Sequence, residues 1–420
     1  MISNLLKMLS YPFMQRALVV GILVSLCAAL LGTGLGSASP AAVATDSITA
    51  SVITCYPGGE IYEVYGHTAI RMRGSDFDEV FNYGVFDFYS ANFVYRFVKG
   101  DAMYLVVHYP YEYFIPEYRE RGSKVVEQVL NLPQKHVRAM LDYLLWNCLP
   151  QNRAYRYDYI GDNCSTRPRD IVERAVGGTI EYPADTRPEL TFRDIMREYN
   201  GNYPWLSLGI DLALGADLDK PTTAREKMFA PLYLKKALDG ATYTDSTGQK
   251  VPVVLCTNIL NPGADCGAIL PPTPWWQTPT VAAALLLLLV VALSAWDLHR
   301  GKVCRVADTV IYTLYAAGGC IVWFLIFVSL HAATGNNFVG LWLHPLYLFP
   351  AIAEWLKSAK KGVYWYHFIN FAVLILALVA WWIVPQRGDA SFVMLMLVPM
   401  VRQATYLYNT KKECDIKRTR

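Results

Sequence analysis

The chain has 420 residues, 54% of them hydrophobic and only 17% charged, where an average soluble domain carries about 25% charge. That composition excludes a disordered or collagen-like chain and points to a membrane protein with a soluble part. The net charge of +3 is unevenly placed, with 13 Lys and Arg against 6 Asp and Glu from Trp275 onward but 23 against 29 over residues 45–274. An acidic middle matches phosphate backbones poorly, so nucleic acid is excluded as a partner.

In chain order, residues 1–44 read as a signal peptide or N-terminal anchor. Lys7 and Arg16 precede an apolar run at 17–31, and Ala42-Val43-Ala44 supplies the small-x-small pattern that a signal peptidase recognises. Residues 45–240 are then expected outside the cytoplasm, as a mixed α+β domain. Segments 48–54 and 68–73 are β-branched and apolar, and 80–88 alternates, so all three are predicted strands. Val137, Met140, Leu141, Leu144, Leu145 and Cys148 follow helical spacing over 134–148, behind Pro133. A second helix follows Cys164, with Ile171, Val172, Ala175 and Val176 inward and a stop at Gly177-Gly178. Pro168 would delete a backbone bond if Asn163 were the N-cap, so either a start at Ser165 or Thr166 or a bent first turn is predicted. Residues 241–274 are turn-rich and read as a tether.

Residues 275–410 read as a membrane domain with about five transmembrane helices, near 279–297, 307–330, 341–356, 363–385 and 390–408. Each approaches the ~20 residues needed to cross the hydrocarbon core. His299, Arg300, Lys302, Arg305, Lys357, Lys360, Lys361 and the basic tail 411–420 all fall on one side, and the opposite loops 331–340 and 386–389 hold one Arg and one Asp. The positive-inside rule makes the basic side, with the C-terminus, cytoplasmic. The domain before Trp275 is then outside, as the signal segment independently requires, and the whole is expected in the inner (cytoplasmic) membrane with its outer domain in the periplasm.

The nine cysteines divide by place. Cys27 lies in the signal segment, and Cys304, Cys320 and Cys414 lie in or beside the membrane domain. Cys256 and Cys266 form a candidate disulfide, as does Cys55 with Cys148. No CxxC, HExxH, GxSxG, P-loop or GxGxxG pattern occurs, so neither a metal nor a cofactor is expected. Cys164 stands at a loop-to-helix junction, where unpaired backbone N–H groups stabilise a thiolate. A thiolate nucleophile needs a histidine to exchange its proton. Of His67, His108 and His136, His67 opens a strand and is the candidate partner. The alternative is a buried structural cysteine with a surface histidine. His331, His344 and His367 raise a bis-histidine haem reading, which their loop and span-end positions disfavour.

The blocks Ile53–Glu60, Tyr65–Arg71, Phe81–Phe88, Gln128–Leu132, Asn152-Arg153, Asp162-Asn163-Cys164, Arg169-Asp170 and Leu341–Leu346 resemble the Lnb family of bacterial lipoprotein N-acyltransferases. The resemblance covers nearly all of residues 48–408. It implies an outer domain of circularly permuted papain-like fold, similar to lecithin:retinol acyltransferase, in which the His strand precedes the Cys helix, followed by a multi-span α-helical membrane domain. It implies Cys164 as nucleophile, His67 as base and Asn82 as the group orienting the imidazole, with Asp87 a weaker choice. The implied reaction moves a fatty acyl chain from a membrane phospholipid, through a thioester on Cys164, to the N-terminal amine of a diacylated lipoprotein. Arg71, Arg153 and Arg167 are candidate phosphate ligands. Two other readings stay open: a papain-like cell-wall amidase or peptidase, and a non-enzymatic envelope scaffold.

Overall fold

The computed structural model describes residues 47–60, 63–86, 90–265 and 272–418, with side chains up to residue 412. The expected signal segment 1–44, Asp87 and Cys266 lie outside the described residues. The outer domain is built on a seven-stranded antiparallel sheet in the order β10-β5-β1-β2-β3-β4-β6. The strands are β1 (Thr49–Cys55), β2 (His67–Arg73), β3 (Asp78–Val85), β4 (Met103–Pro110), β5 (Val125–Leu130), β6 (Ala154–Arg156) and β10 (Val254–Asn261). A small sheet of β7 (Ile180–Glu181), β8 (Thr242–Thr244) and β9 (Lys250–Pro252) stands beside it.

Successive side chains in a strand point to opposite faces, and both faces of this sheet are covered. Val52, Ile70, Phe81, Tyr83 and Val106 pack on helices that the sequence pattern located, now α3 (Gln134–Asn147) and α4 (Thr166–Val176). Leu145, expected inward, is exposed instead. Ile53, Cys55, Ala69 and Val80 pack on Phe114, Ile115 and Tyr118 of α2 (Tyr111–Glu120). A further short helix, α1 (Phe93–Lys99), precedes β4. Beyond the sheet come α5 (Phe192–Asn200), α6 (Pro204–Ala213), α7 (Ala224–Lys227) and α8 (Pro231–Asp239).

The tether expected over 241–274 is corrected by this topology. Residues 242–261 of it supply β8, β9 and β10, and β10 pairs with β5 as an outer strand of the main sheet. The turn residues that suggested a linker are the connections between these short strands, and Val254, Ile259 and Leu260 supply the strand.

The helical region contains α9 (Pro279–Arg300), α10 (Arg305–Phe327), α11 (Leu348–Ala353), α12 (Lys360–Ala380) and α13 (Ser391–Arg418). Three of them, α9, α10 and α12, are long and apolar enough to cross a membrane. The segment expected as a span at 341–356 forms a shorter apolar run of helical pieces within 338–353, broken before Pro345, whose ring cannot continue a backbone ladder, while Pro350 is accommodated in the first turn of α11. α13 has 28 residues, but Arg402 and Gln403 interrupt its apolar run. Fully buried Arg402 donates to Asp308 at 2.5 Å, Asp297 at 2.8 Å and Ser294 at 3.0 Å, tying α13 to α9 and α10. Buried charges need such partners.

The two regions are fitted to each other along a polar seam. The N–H groups of Gly215 and Ala216 donate to the carbonyls of Ala333 and Asn336. Asn337 donates to Leu212 O at 2.9 Å, Gln386 to Leu214 O at 3.2 Å, and Arg387 to Asp194 at 2.9 Å. On the outer side Arg193 holds the same turn, donating to Asp211, Asp219 and the carbonyls of Leu214 and Gly215. A Cβ at Gly215 would stand 1.8 Å from the carbonyl oxygen of Gly335, so the backbones meet there without room for a side chain. All these seam loops of the membrane domain are the poorly basic ones.

Candidate active site

The site forms where β2 begins and α4 begins. His67 is the first residue of β2 and faces Cys55 across the β1–β2 pair. Cys164 lies two residues before α4, whose first residue is Thr166. Pro168 therefore falls in the first turn, where its missing N–H has no intrahelical partner to lose, as the sequence reading required. Asn163 shapes the junction: its Oδ1 accepts the N–H groups of Ser165 and Thr166 at 2.7 and 2.9 Å, and its amide donates to the carbonyls of Tyr159 and Phe229. Ser165 Oγ adds a bond to Met228 O at 2.7 Å. The loop that carries Cys164 is thus pinned from both sides.

Cys164 and His67 are hydrogen-bonded, and both are half-buried. His67 Nε2 lies 2.9 Å from Asn82 Oδ1, and Asn82 Nδ2 donates to the Tyr109 hydroxyl at 2.5 Å. An amide oxygen can only accept, so this chain fixes the imidazole proton on Nε2 and leaves Nδ1 to exchange a proton with the thiol. Asn82 stands on β3 opposite Ala69, on the sheet face that carries His67. The order expected of a permuted papain-like domain, His strand before Cys helix, is present.

Burial opposes charge on both partners, but their mutual attraction outweighs it. Burial pushes the Cys164 thiol up; the His67 imidazolium and the N–H groups of Thr68 and Cys164 pull it down, and the net direction is down. Burial pushes His67 down; the Cys164 thiolate and the bond to Asn82 raise it, and the net direction is up. These shifts favour a thiolate–imidazolium pair. Gly84 lies beside the thiol at φ +92°, a backbone conformation that other residues rarely adopt, and a Cβ there would make ordinary contact with Cys164 Cβ at 3.6 Å and the Tyr157 ring at 3.5 Å. Tyr157 hydrogen-bonds the Cys164 sulfur and stacks on Tyr104 at 4.3 Å.

The rival thiols are placed otherwise. Cys55 is fully buried and its thiol is pushed up by burial, while half-buried Cys148 is pushed up to about 11. Both are free, which corrects the candidate disulfide between them. Cys256 stands on β10, but its candidate partner Cys266 is not described. His108 pairs with Glu79 at 3.1 Å, away from the thiol. His331, His344 and His367 bond three different neighbours, Phe97 O, Asn370 and Glu354.

The three arginines do not converge. Arg71 is buried between Asp78 and Glu127, with its guanidinium 3.6 Å from the Tyr111 ring centre. Arg167 is bidentate on Asp162 and stacks on Tyr155 at 3.7 Å. Both charges are already compensated, so neither is the free phosphate ligand expected; Arg153 is exposed. Sequence reasoning missed Tyr157, Gly84, the Thr68 N–H and the anchoring role of Asn163. Only Asn163 carried a local signal, an Asx residue just before a helix start.

No curated protein and no solved structure matches the chain. Matches to family descriptions are found over both regions. Residues 38–200, containing His67, Asn82 and Cys164, match the Lnb N-terminal periplasmic domain. Residues 272–413, from just before α9 into α13, match the Lnb transmembrane domain. With both domains of that family present in order, the chain belongs to the Lnb family.

Proposed function

We propose that the protein is a membrane-bound cysteine N-acyltransferase, moving a fatty acyl chain from a phospholipid to the N-terminal amine of a diacylglyceryl-lipoprotein. The observation that carries this reading is the Cys164–His67–Asn82 set on a domain seated directly on membrane-spanning helices. In the first step the Cys164 thiolate attacks the ester carbonyl carbon. The carbonyl oxygen gains negative charge and falls to the N–H groups of Thr68 and Cys164, which already face the sulfur. The ester C–O bond breaks, His67 gives its Nδ1 proton to the departing oxygen, and a lysophospholipid leaves. In the second step the amine attacks the thioester, His67 takes the amine proton, and the C–S bond breaks to give the amide and the thiolate, which recovers its proton relation with His67. Asn82 holds the imidazole in the tautomer both steps use.

A cell-wall amidase could use the same dyad, but it has no need of a bilayer-spanning partner fitted along the Gly215 seam. The test is conversion of diacylated to triacylated lipoprotein in a strain lacking other N-acyltransferases. Cys164→Ser and His67→Ala are expected to abolish conversion, and the intact protein is expected to show an acyl adduct on Cys164 by mass spectrometry. Triacylated product from Cys164→Ser would sink the thioester mechanism. Cleavage of peptidoglycan fragments without any acyl adduct would favour the amidase.

A further inference from the structure

Between the dyad and the membrane lies a part of the outer domain that the mechanism above leaves unused. α1 has no buried residue, and it turns Val94, Tyr95 and Phe97 outward at 72%, 54% and 45% exposure. The helix is nevertheless firmly placed. Ser329 Oγ donates to Val98 O at 3.0 Å, Leu330 N to Lys99 O at 2.7 Å, and His331 Nε2 to Phe97 O at 2.8 Å. The Tyr95 ring lies 6.0 Å from Phe324, near the end of α10. The exposed apolar side of α1 is thereby held beside the end of α10, a helix long and apolar enough to cross a membrane.

Behind α1 is a cavity of about 180 Å³ lined by Ser90, Phe93, Arg96, Ala102, Met103 and Leu105. Met103, Leu105 and Val107 share one face of β4 by strand alternation, and Val107 lies opposite Asn82. At ~3.4 Å per residue, Leu105 stands roughly 7 Å and Met103 roughly 14 Å along the strand from that point. The cavity therefore begins one short step from the imidazole's orienting residue. Its walls are largely apolar, with one cation. Arg96 donates to Asp101 O at 3.1 Å, and no carboxylate pairs with it among the described residues. By contrast, Arg71 and Arg167 each have a carboxylate partner.

Apolar walls beside a guanidinium with no carboxylate partner among the described residues, next to an exposed apolar helix face, match one ligand chemistry: a fatty acyl chain attached near a phosphate. We propose that α1 and the cavity behind it are the donor subsite of the enzyme, taking a glycerophospholipid with its acyl chain along Phe93, Met103 and Leu105 and its phosphate at Arg96. This rests on the acyl-transfer reading. The acceptor lipoprotein also carries acyl chains, but its diacylglyceryl-cysteine has no phosphate for Arg96 to bind. The cavity exceeds the ~150 Å³ that admits a benzene-sized guest, so it holds a stretch of about six carbons. The rest of the chain lies along Val94, Tyr95 and Phe97 toward the bilayer.

The experiment is photolabelling of the full-length Cys164→Ser protein in lipid nanodiscs, so that labelling does not depend on turnover. One probe is phosphatidylethanolamine with a diazirine in its acyl chain, and the other is a diacylated lipopeptide with the same labelled chains. The phospholipid probe is expected to mark the stretch 93–105. Met103→Trp, at an exposed wall position, and Ala102→Trp, deeper in, should each cut that labelling about tenfold or more, an ordinary loss for filling an apolar site. Arg96→Gln should weaken labelling by the phospholipid and leave the lipopeptide's unchanged. In the native enzyme, Arg96→Gln should raise KM for phospholipid about tenfold with kcat little altered, the mark of lost ground-state binding. Labelling confined to α9, α10 and α12, or unaffected by both tryptophans, would overturn the subsite. Equal labelling by the lipopeptide, indifferent to Arg96→Gln, would make it the acceptor's site and overturn the assignment to the donor. An acyl adduct on native Cys164 without labelling at 93–105 rejects the subsite alone. Labelling at 93–105 without any such adduct supports the lipid subsite and rejects the acyl-enzyme reading.

Discussion

At the scale of single residues, the difference between Cys164 and the other thiols is one of electrostatic company rather than exposure alone. Cys164 has an imidazole and two N–H groups to hold its negative charge, whereas burial wins at Cys55 and Cys148. Alkylation with iodoacetamide at neutral pH should therefore reach Cys164 first. The sign with pH follows: a thiol pulled down ionises at lower pH, so the alkylation rate should reach its plateau below the ordinary thiol range. His67→Ala removes the main lowering influence and leaves burial, so the neutral-pH rate should fall about tenfold or more. A profile unchanged by that substitution would show that the two groups do not share a proton. Asn82→Ala should lower acyl transfer less than the ~10²–10⁴-fold expected on loss of the base itself, because it orients rather than exchanges the proton. The dyad was legible in the sequence because each member carries a local mark, a strand start for His67 and a loop-to-helix junction for Cys164. The fate of the arginines was not. The partner of Arg71 at Glu127 is 56 residues away, and only the folding of β5 beside β1 brings it near.

At the scale of elements, amphipathic patterns were the readable part. The spacing over 134–148 and after Cys164 gave α3 and α4 nearly to the residue, since one face of each must meet the sheet. The tether reading of 241–274 failed for a physical reason. β10 is an eight-residue outer strand whose burial is modest and whose pairing with β5 is set by tertiary contacts, so a turn-rich segment hid it. Run length marked 341–356, and the structure places a shorter apolar run of helical pieces over 338–353 there, broken before Pro345. The α5–α6 region was also silent, although its stability centres on one side chain. Arg193 is fully buried against two carboxylates and two carbonyls. Arg193→Met should destabilise the outer domain by about 3–5 kcal/mol, because it leaves Asp211 and Asp219 without their shared cation. Thermal unfolding of the purified protein measures this, and a melting temperature equal to the native one would refute it. Arg197, which also reaches Asp211 at 2.8 Å, retains part of the compensation.

At the scale of the whole molecule, charge and contact give the same orientation by separate routes. The loops that touch the outer domain, 329–337 and 386–387, are those without the lysine clusters, and the basic segments at 299–305 and 357–361 lie at the other ends of the helices. A reporter fused after Arg420 should accordingly be cytoplasmic, and one inserted after Tyr203 should be periplasmic. Finding both on one side would remove this orientation.

The seam at Gly215 and Gly335 also bears on what covalent connection contributes. If the two regions were joined only by the chain, a single cut within residues 262–274 would free the periplasmic part as a soluble fragment. Here the carbonyls of Leu212 and Leu214, the Arg387–Asp194 pair and the α1 bonds to residues 329–331 persist whatever happens to that connection. A protease site engineered there should yield two fragments that sediment together with the membrane and still carry the thiol at its working height. Recovery of the periplasmic fragment in the supernatant would mean that the peptide bond, not the seam, does the holding.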